Sequence, residues 1–191
     1  YAMLAPAVEG QFGEYYLSDI AEAVRKLGFK GVYEVALAAD MVAESEAKEW
    51  VEAYHEGKKM TTSCCPAFVT MVEKHYPQLK EAVSTTVSPM AAMSRMIRER
   101  HPGAITVFIG PCIAKKSEVI ESFAQGNADY ALTFEELDAM LRAKEIELYH
   151  IGACMQQGSL YGKKFGASGG VTAAVQQVMD ETRINAEIKV A

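Results

Sequence analysis

Apolar residues recur along this chain at two different spacings. Leu17, Ile20, Ala21, Val24 and Leu27 fall three or four apart, which predicts a helix from Leu17 to Leu27, capped by Ser18 or Asp19 and stopped at Gly28. A long helix is predicted from Asp40 to about His55, stopped by Gly57. Others are predicted over 67–75, 89–100, 134–143 and 171–179. Thr133 with Glu136 forms a capping box before the fifth of these. Between them lie short apolar runs suited to strands: Met3–Val8, Gly31–Ala36, Ala104–Ile109 and Asp129–Leu132. The run Ala104–Ile109 is unbroken and bounded by glycines, the pattern of a strand covered on both faces. Strands alternating with helices predict an α/β fold with parallel sheets. There is no internal repeat and no low-complexity tract.

In open α/β sheets, ligands gather at the carboxyl ends of strands. Three loops qualify here. They are Thr62-Ser-Cys-Cys-Pro66 before a helix, Gly110-Pro-Cys-Ile-Ala-Lys-Lys-Ser-Glu118 after the apolar strand, and Phe165-Gly-Ala-Ser-Gly-Gly170 before the last helix. The first two loops place cysteines where a helix begins or a buried strand ends. Backbone N–H groups and the helix dipole favour thiolate there, and thiolate is the form that binds iron or zinc. Pro66 and Pro111 stiffen the backbone beside Cys65 and Cys112.

Composition narrows the field. With 191 residues, half of them hydrophobic, the chain can build a core of one domain or two small lobes. A net charge of −6 with no basic stripe argues against a nucleic-acid partner. No apolar run reaches the ~20 residues that cross a bilayer, so no membrane partner is expected. No export signal is visible, which predicts a cytoplasmic protein. The chain opens at Tyr1 without Met and ends in what reads as the start of a strand, so it is expected to be a piece of a longer protein. Its four cysteines are Cys64, Cys65, Cys112 and Cys154. Cys64 and Cys65 are adjacent and cannot readily bridge each other. From spacing alone the cysteines fit three readings: metal ligands, a catalytic thiol, or buried structural thiols, the last most apt for Cys154. The glycine-rich loop could cradle an anion, but it lacks the Lys-Ser/Thr pair of a phosphate loop.

The ordered motifs carry a resemblance. Thr62-Ser-Cys-Cys-Pro-Ala-Phe-Val69 is similar to the first cluster motif of iron-only (FeFe) hydrogenases, TSCCPGW. Gly110–Glu118 is similar to the second, MPCxxKKxE. Ala5-Pro-Ala-Val8, Ala39-Asp40 and Phe165–Val171 agree in order, so the resemblance spans essentially the whole chain. It implies two α/β lobes of parallel or mixed sheet flanked by helices, over residues 1–61 and 62–165, with residues 166–191 returning to the first lobe. It implies the catalytic domain of an enzyme that makes or splits H2. Its H-cluster is a 4Fe-4S cubane joined to a two-iron unit.

By motif, Cys65 and Cys112 would be cubane ligands, and Cys64 the thiol that passes protons to the two-iron unit. Lys115 would donate to a cyanide, and Ala5, Pro6 and Phe165 would line the pocket. Glu49, Ser84 and Glu118 match the places of a proton path. The partners implied are H2, protons, and a ferredoxin-like electron carrier or a partner iron–sulfur domain. The family's third motif, with the last two cubane cysteines, is expected beyond Ala191, so the chain alone is expected to be apo and inactive. Gly110 stands where the family has methionine, and Ala67-Phe68 where it has Gly-Trp. The Gly-Pro-Cys form resembles members suspected of sensory roles. Two further readings remain: a hydrogen- or redox-sensing iron–sulfur protein with little turnover, and an unrelated thiol enzyme using Cys64 or Cys65 as nucleophile.

Overall fold

The computed structural model describes residues 1–120 and 126–182. Four short strands form one parallel sheet: β1 (Ala2–Leu4), β2 (Val32–Glu34), β3 (Val107–Ile109) and β4 (Tyr130–Leu132), in the order β2-β1-β3-β4. The helices are α1 (Leu17–Lys26), α2 (Ala36–His55), α3 (Pro66–His75), α4 (Pro89–Arg100), α5 (Ala114–Ile120), α6 (Phe134–Ala143), α7 (Leu160–Lys164) and α8 (Gly170–Glu181). Two 3-10 turns, Pro6–Val8 and Pro77–Ala82, complete the described elements. Among the described residues no helix is long and apolar enough to cross a membrane.

The strand β1 is buried throughout and sits between β2 and β3. Chain order reverses beside it, so the crevice at the carboxyl ends of β1 and β3 is the ligand position such sheets favour. The sheet takes β1 and β2 from residues 1–61 and β3 and β4 from residues 62–165, so backbone hydrogen bonds join these two ranges.

Two apolar clusters support this frame. The larger packs the strands against Leu17, Ile20 and Val24 of α1, Met90, Met93 and Ile97 of α4, and Phe134, Leu137 and Leu141 of α6. The smaller joins Ala39, Val42, Ala43 and Ala47 of α2 to Ala174, Val175 and Met179 of α8, with Phe165 between them. The strand expected near the C-terminus lies outside the described residues.

Several elements differ from the periodicity. The first strand stops at Leu4, because Pro6 locks its φ and opens a 3-10 turn. The α2 helix begins four residues before Asp40, on Ala36. The N-cap position of α1 is Tyr16, and Asp19 caps the helix from inside, at N3, by accepting the Tyr16 N–H at 3.0 Å. The loop at 110–118 contains α5, and α7 comes just before the loop at 165–170. The segment between α6 and α7 has no regular structure but is firmly strapped. Asp19 accepts Ile151 N–H at 2.9 Å, Glu34 accepts Gln157 N–H at 2.7 Å, and Asp40 accepts Ser159 N–H at 2.7 Å. These side-chain acceptors satisfy backbone donors that no ladder reaches.

Candidate active site

The crevice beside β1 and β3 carries the motif residues. Ala5 N–H bonds Ile109 O at 2.9 Å, which sets Ala5 and Pro6 against Gly110-Pro111-Cys112. Ala5 is buried and Pro6 half-buried. Phe165 is buried on α2 and α8.

The cysteine loop is fixed from two sides. On one side Pro66 starts α3 with Cys65 as its N-cap, in extended backbone. Cys65 and Cys112 are both exposed, whereas Cys64 is half-buried. On the other side, from α5, Lys115 Nζ donates to the Cys64 carbonyl at 3.2 Å and to Glu118 Oε2 at 2.6 Å. Glu118 in turn accepts from Ser88 Oγ. No third N–H of Lys115 has a partner among the described residues, which leaves a fixed cation with one donor for an anionic ligand.

A second polar chain begins at Cys64. Thr62 Oγ1 accepts the Cys64 N–H at 3.3 Å and donates to Glu46 Oε1 at 2.6 Å. Ser63 N–H also reaches Glu46, at 3.3 Å. Glu46 is 2% exposed. Burial pushes its carboxyl above the ordinary glutamate value, against the donations from Thr62 and Ser63. Burial also pushes the Cys64 thiol up, with hydrogen bonding from Thr62 opposing it. Further out, Glu49 accepts from Ser84 Oγ and Thr85 Oγ1, and from Thr85 N–H at 3.2 Å. Burial raises its pKa, but these donations outweigh it and hold Glu49 below the ordinary range. Glu46 and Glu49 lie three residues apart on α2, and Ser84 bonds the second of them.

Of the residues singled out in the sequence, Glu49 and Ser84 are therefore in direct contact. Glu118 belongs instead to the Lys115–Ser88 group. Glu46 was not foreseen. Its signal was present, because it continues the buried stripe Ala39, Val42, Ala43, Ala47 on one face of α2. A glutamate on an apolar face is the exception that repays attention.

Cys65 and Cys112 are accessible thiols on loops that Lys115 ties together. No group of three Cys, His, Asp or Glu side chains placed to hold a metal occurs among the described residues. Cys154 is exposed on the strapped segment, beside Ala153, whose carbonyl accepts from Ser18.

Residues 1–190 match the family described as iron only hydrogenase large subunit, C-terminal domain. The chain belongs to this family. Iron hydrogenase 1 of Clostridium pasteurianum is 29% identical over 213 residues, covering 97% of this chain and 37% of that protein. The periplasmic Fe hydrogenase large subunit of Nitratidesulfovibrio vulgaris is 30% identical over 203 residues, covering 91% of this chain and 48% of the relative. Among solved structures, a variant of FeFe-hydrogenase HydA1 from Chlamydomonas reinhardtii superposes with a TM-score of 0.76 at 26% identity, over 94% of this chain and 52% of that one. The chain thus spans about half or less of the length of these hydrogenases. The α/β fold with a parallel sheet flanked by helices is the fold of that catalytic domain.

Proposed function

We propose that this chain forms part of the active site of an FeFe hydrogenase that interconverts H2 with protons and electrons. In this reading Cys65 and Cys112 hold two corners of a 4Fe-4S cubane, and the remaining cysteines come from outside these 191 residues. When bound, the H-cluster would supply the redox chemistry, with a ferredoxin-like carrier or a partner iron–sulfur domain as the electron partner. Ala5, Pro6 and Phe165 shape the apolar wall, and Lys115 offers its third N–H to an anionic ligand of the two-iron unit.

The carrying observation is the buried Glu46, which accepts from Thr62 and Ser63 of the cysteine loop. A carboxyl with a raised pKa accepts and releases protons closer to neutrality than an exposed one. In this reading the thiol of Cys64, kept protonated by burial, exchanges its proton with Glu46, the buried carboxyl that Thr62 and Ser63 tie to the cysteine loop. In this reading Ser84, bonded to Glu49, relays the proton between the two glutamates, which lie one turn apart on α2. Glu49 is half-exposed and meets solvent.

A second reading is a hydrogen- or redox-sensing protein with little turnover. It is favoured by the altered wall at Gly110, where the Phe108 ring takes the space beside the glycine. Robust turnover by matured full-length protein would reject it.

The test of the site is iron content after anaerobic reconstitution, for this chain beside a version extended through a further cysteine motif. The chain alone is expected to remain apo and inactive. Stable cluster only in the extended version supports half-site ligation. No cluster in either overturns it, and undiminished cluster after Cys65→Ala or Cys112→Ala overturns the assignment of those ligands.

A further inference from the structure

Ser88 lies outside the cysteine loops and outside the chain of groups from Cys64 to Glu49, yet it joins three elements. We propose that Ser88 is a positioning residue: through Glu118 it holds the Lys115 ammonium in place beside Cys64. The inference rests on the reading of Lys115 as the donor to an anionic ligand. The geometry stands apart from it.

The Ser88 hydroxyl has one proton and two lone pairs. Its oxygen accepts the Ala91 N–H at 3.3 Å, as N-cap of α4, and its proton goes to Glu118 Oε1. The second oxygen of Glu118 takes Lys115 Nζ at 2.6 Å, and Lys115 reaches on to the Cys64 carbonyl at 3.2 Å. Asn127 Nδ2 also donates to the Glu118 carbonyl at 3.0 Å, which anchors the backbone of α5 at that point.

A Glu–Lys pair three residues apart on an exposed helix contributes little, because water competes and both stems are flexible. This pair is different. The Lys115 and Glu118 side chains are 12% and 16% exposed, and each has a partner on another element. Lysine has a long stem with four rotatable bonds, so its head is located only by what it bonds. Removing the Ser88 proton leaves Glu118 Oε1 without its donor, and the carboxylate is then free to turn toward the open cavity of about 260 Å³ that Ser84, Ser88 and Glu118 line. Lys115 follows it.

The plainer role for Ser88 is a helix cap alone, and two substitutions separate the roles. Aspartate caps as well as serine but, ionised, cannot donate and repels Glu118. Asparagine caps and donates. The reporter is the rate at which acetyl N-hydroxysuccinimide modifies Lys115 in the cluster-free chain, read by peptide mass spectrometry. Lys30, which is exposed, serves as the global reference, and the neighbouring Lys116 as the local one. Ser88→Asp is expected to raise Lys115 modification several-fold, with Lys30 and Lys116 unchanged, and Ser88→Asn is expected to stay at the wild-type rate. Wild-type modification in Ser88→Asp reduces Ser88 to a cap and overturns the proposal. So does an equal rise at Lys116, which marks loosening of the whole helix. If Ser88→Asp does not fold, Ser88→Ala against Ser88→Asn makes the same comparison. No cluster is needed, so failure here is distinct from failure of the hydrogenase reading.

Discussion

The ring of Phe108 stands 2.6 Å from the point that a Cβ on Gly110 would occupy. The two residues lie two apart along the chain at β3, so their side chains leave the same face of the sheet. Phe108 is buried, and Ala5 Cβ closes the other side at 3.0 Å. No larger side chain enters at Gly110 unless the ring moves. Gly110→Met is therefore expected to cost about 1–3 kcal/mol by overpacking. Phe108→Ala alone costs about 3–5 kcal/mol through the cavity it leaves. In the double variant the methionine fills that cavity, so the combined loss falls below the sum of the two. Urea unfolding of the four proteins measures the coupling. Strict additivity would show that the two positions do not share this space.

A different balance governs Glu46. Its folded pKa lies above the ordinary value, so the folded protein holds the proton more tightly than the unfolded chain does. The resulting stability is fully present below the ordinary glutamate pKa and is lost as pH rises through the raised value. Glu46→Gln is neutral at every pH and can still accept from Thr62 and Ser63. Its Tm is expected to exceed wild type at neutral pH, with the difference shrinking on acidification. Thermal scans from pH 4 to 8 check this, and a Tm that stays below wild type throughout contradicts the buried-acid assignment.

Much of this was legible in the pattern. The α6 helix was set by Thr133 and Glu136, and by apolar residues at helical spacing. The cysteine loops were legible through the order of their motifs, since spacing alone left three readings of the cysteines open. Glu46 was not, because the eye follows the stripe of Ala39, Val42 and Ala43 as hydrophobic core and sets glutamates aside as solvated. Only burial on the inner face of α2 distinguishes Glu46 from Glu44, which is exposed. Glu118 was legible as a conspicuous carboxylate, but not its partner. Its choice of Lys115 and Ser88 depends on how α4 approaches α5, a tertiary fact absent from local spacing. The strapped segment after α6 was equally hidden, since Asp19, Glu34 and Asp40 hold it from more than a hundred residues away.

The capping box also yields a plain stability prediction. Thr133 N–H donates to Glu136 Oε2 at 2.8 Å, and Glu136 N–H to Thr133 Oγ1 at 3.2 Å. Thr133→Ala removes the second bond and is expected to cost about 1 kcal/mol, seen as a fall in Tm of about 2–4 °C for a chain of this size. Thr133→Ser keeps the hydroxyl and is expected to recover most of the loss. An alanine variant as stable as wild type would show that the Lys116–Glu136 contact, not the cap, fixes this end of α6.

Proton transfer is tested by separating turnover from cluster content in the full-length parent. Cys64 is not one of the ligands assigned here, so Cys64→Ala is expected to leave iron content near wild type while turnover falls by about 10²–10⁴-fold, the range for loss of a positioned acid–base group. Glu46→Gln is expected to behave in the same way, because it removes the titrating carboxyl but keeps the hydrogen bonds that hold the Cys64 loop. Ser84→Ala leaves Glu49 with its Thr85 partners and removes only the Ser84 hydroxyl, so it is expected to lower turnover less than either. The ordering matters more than any single value. If iron content falls in step with turnover in all three variants, the residues maintain the site rather than move protons. If Glu49→Gln alone abolishes turnover while Glu46→Gln is silent, protons reach Glu49 by a route that does not pass through α2's buried face.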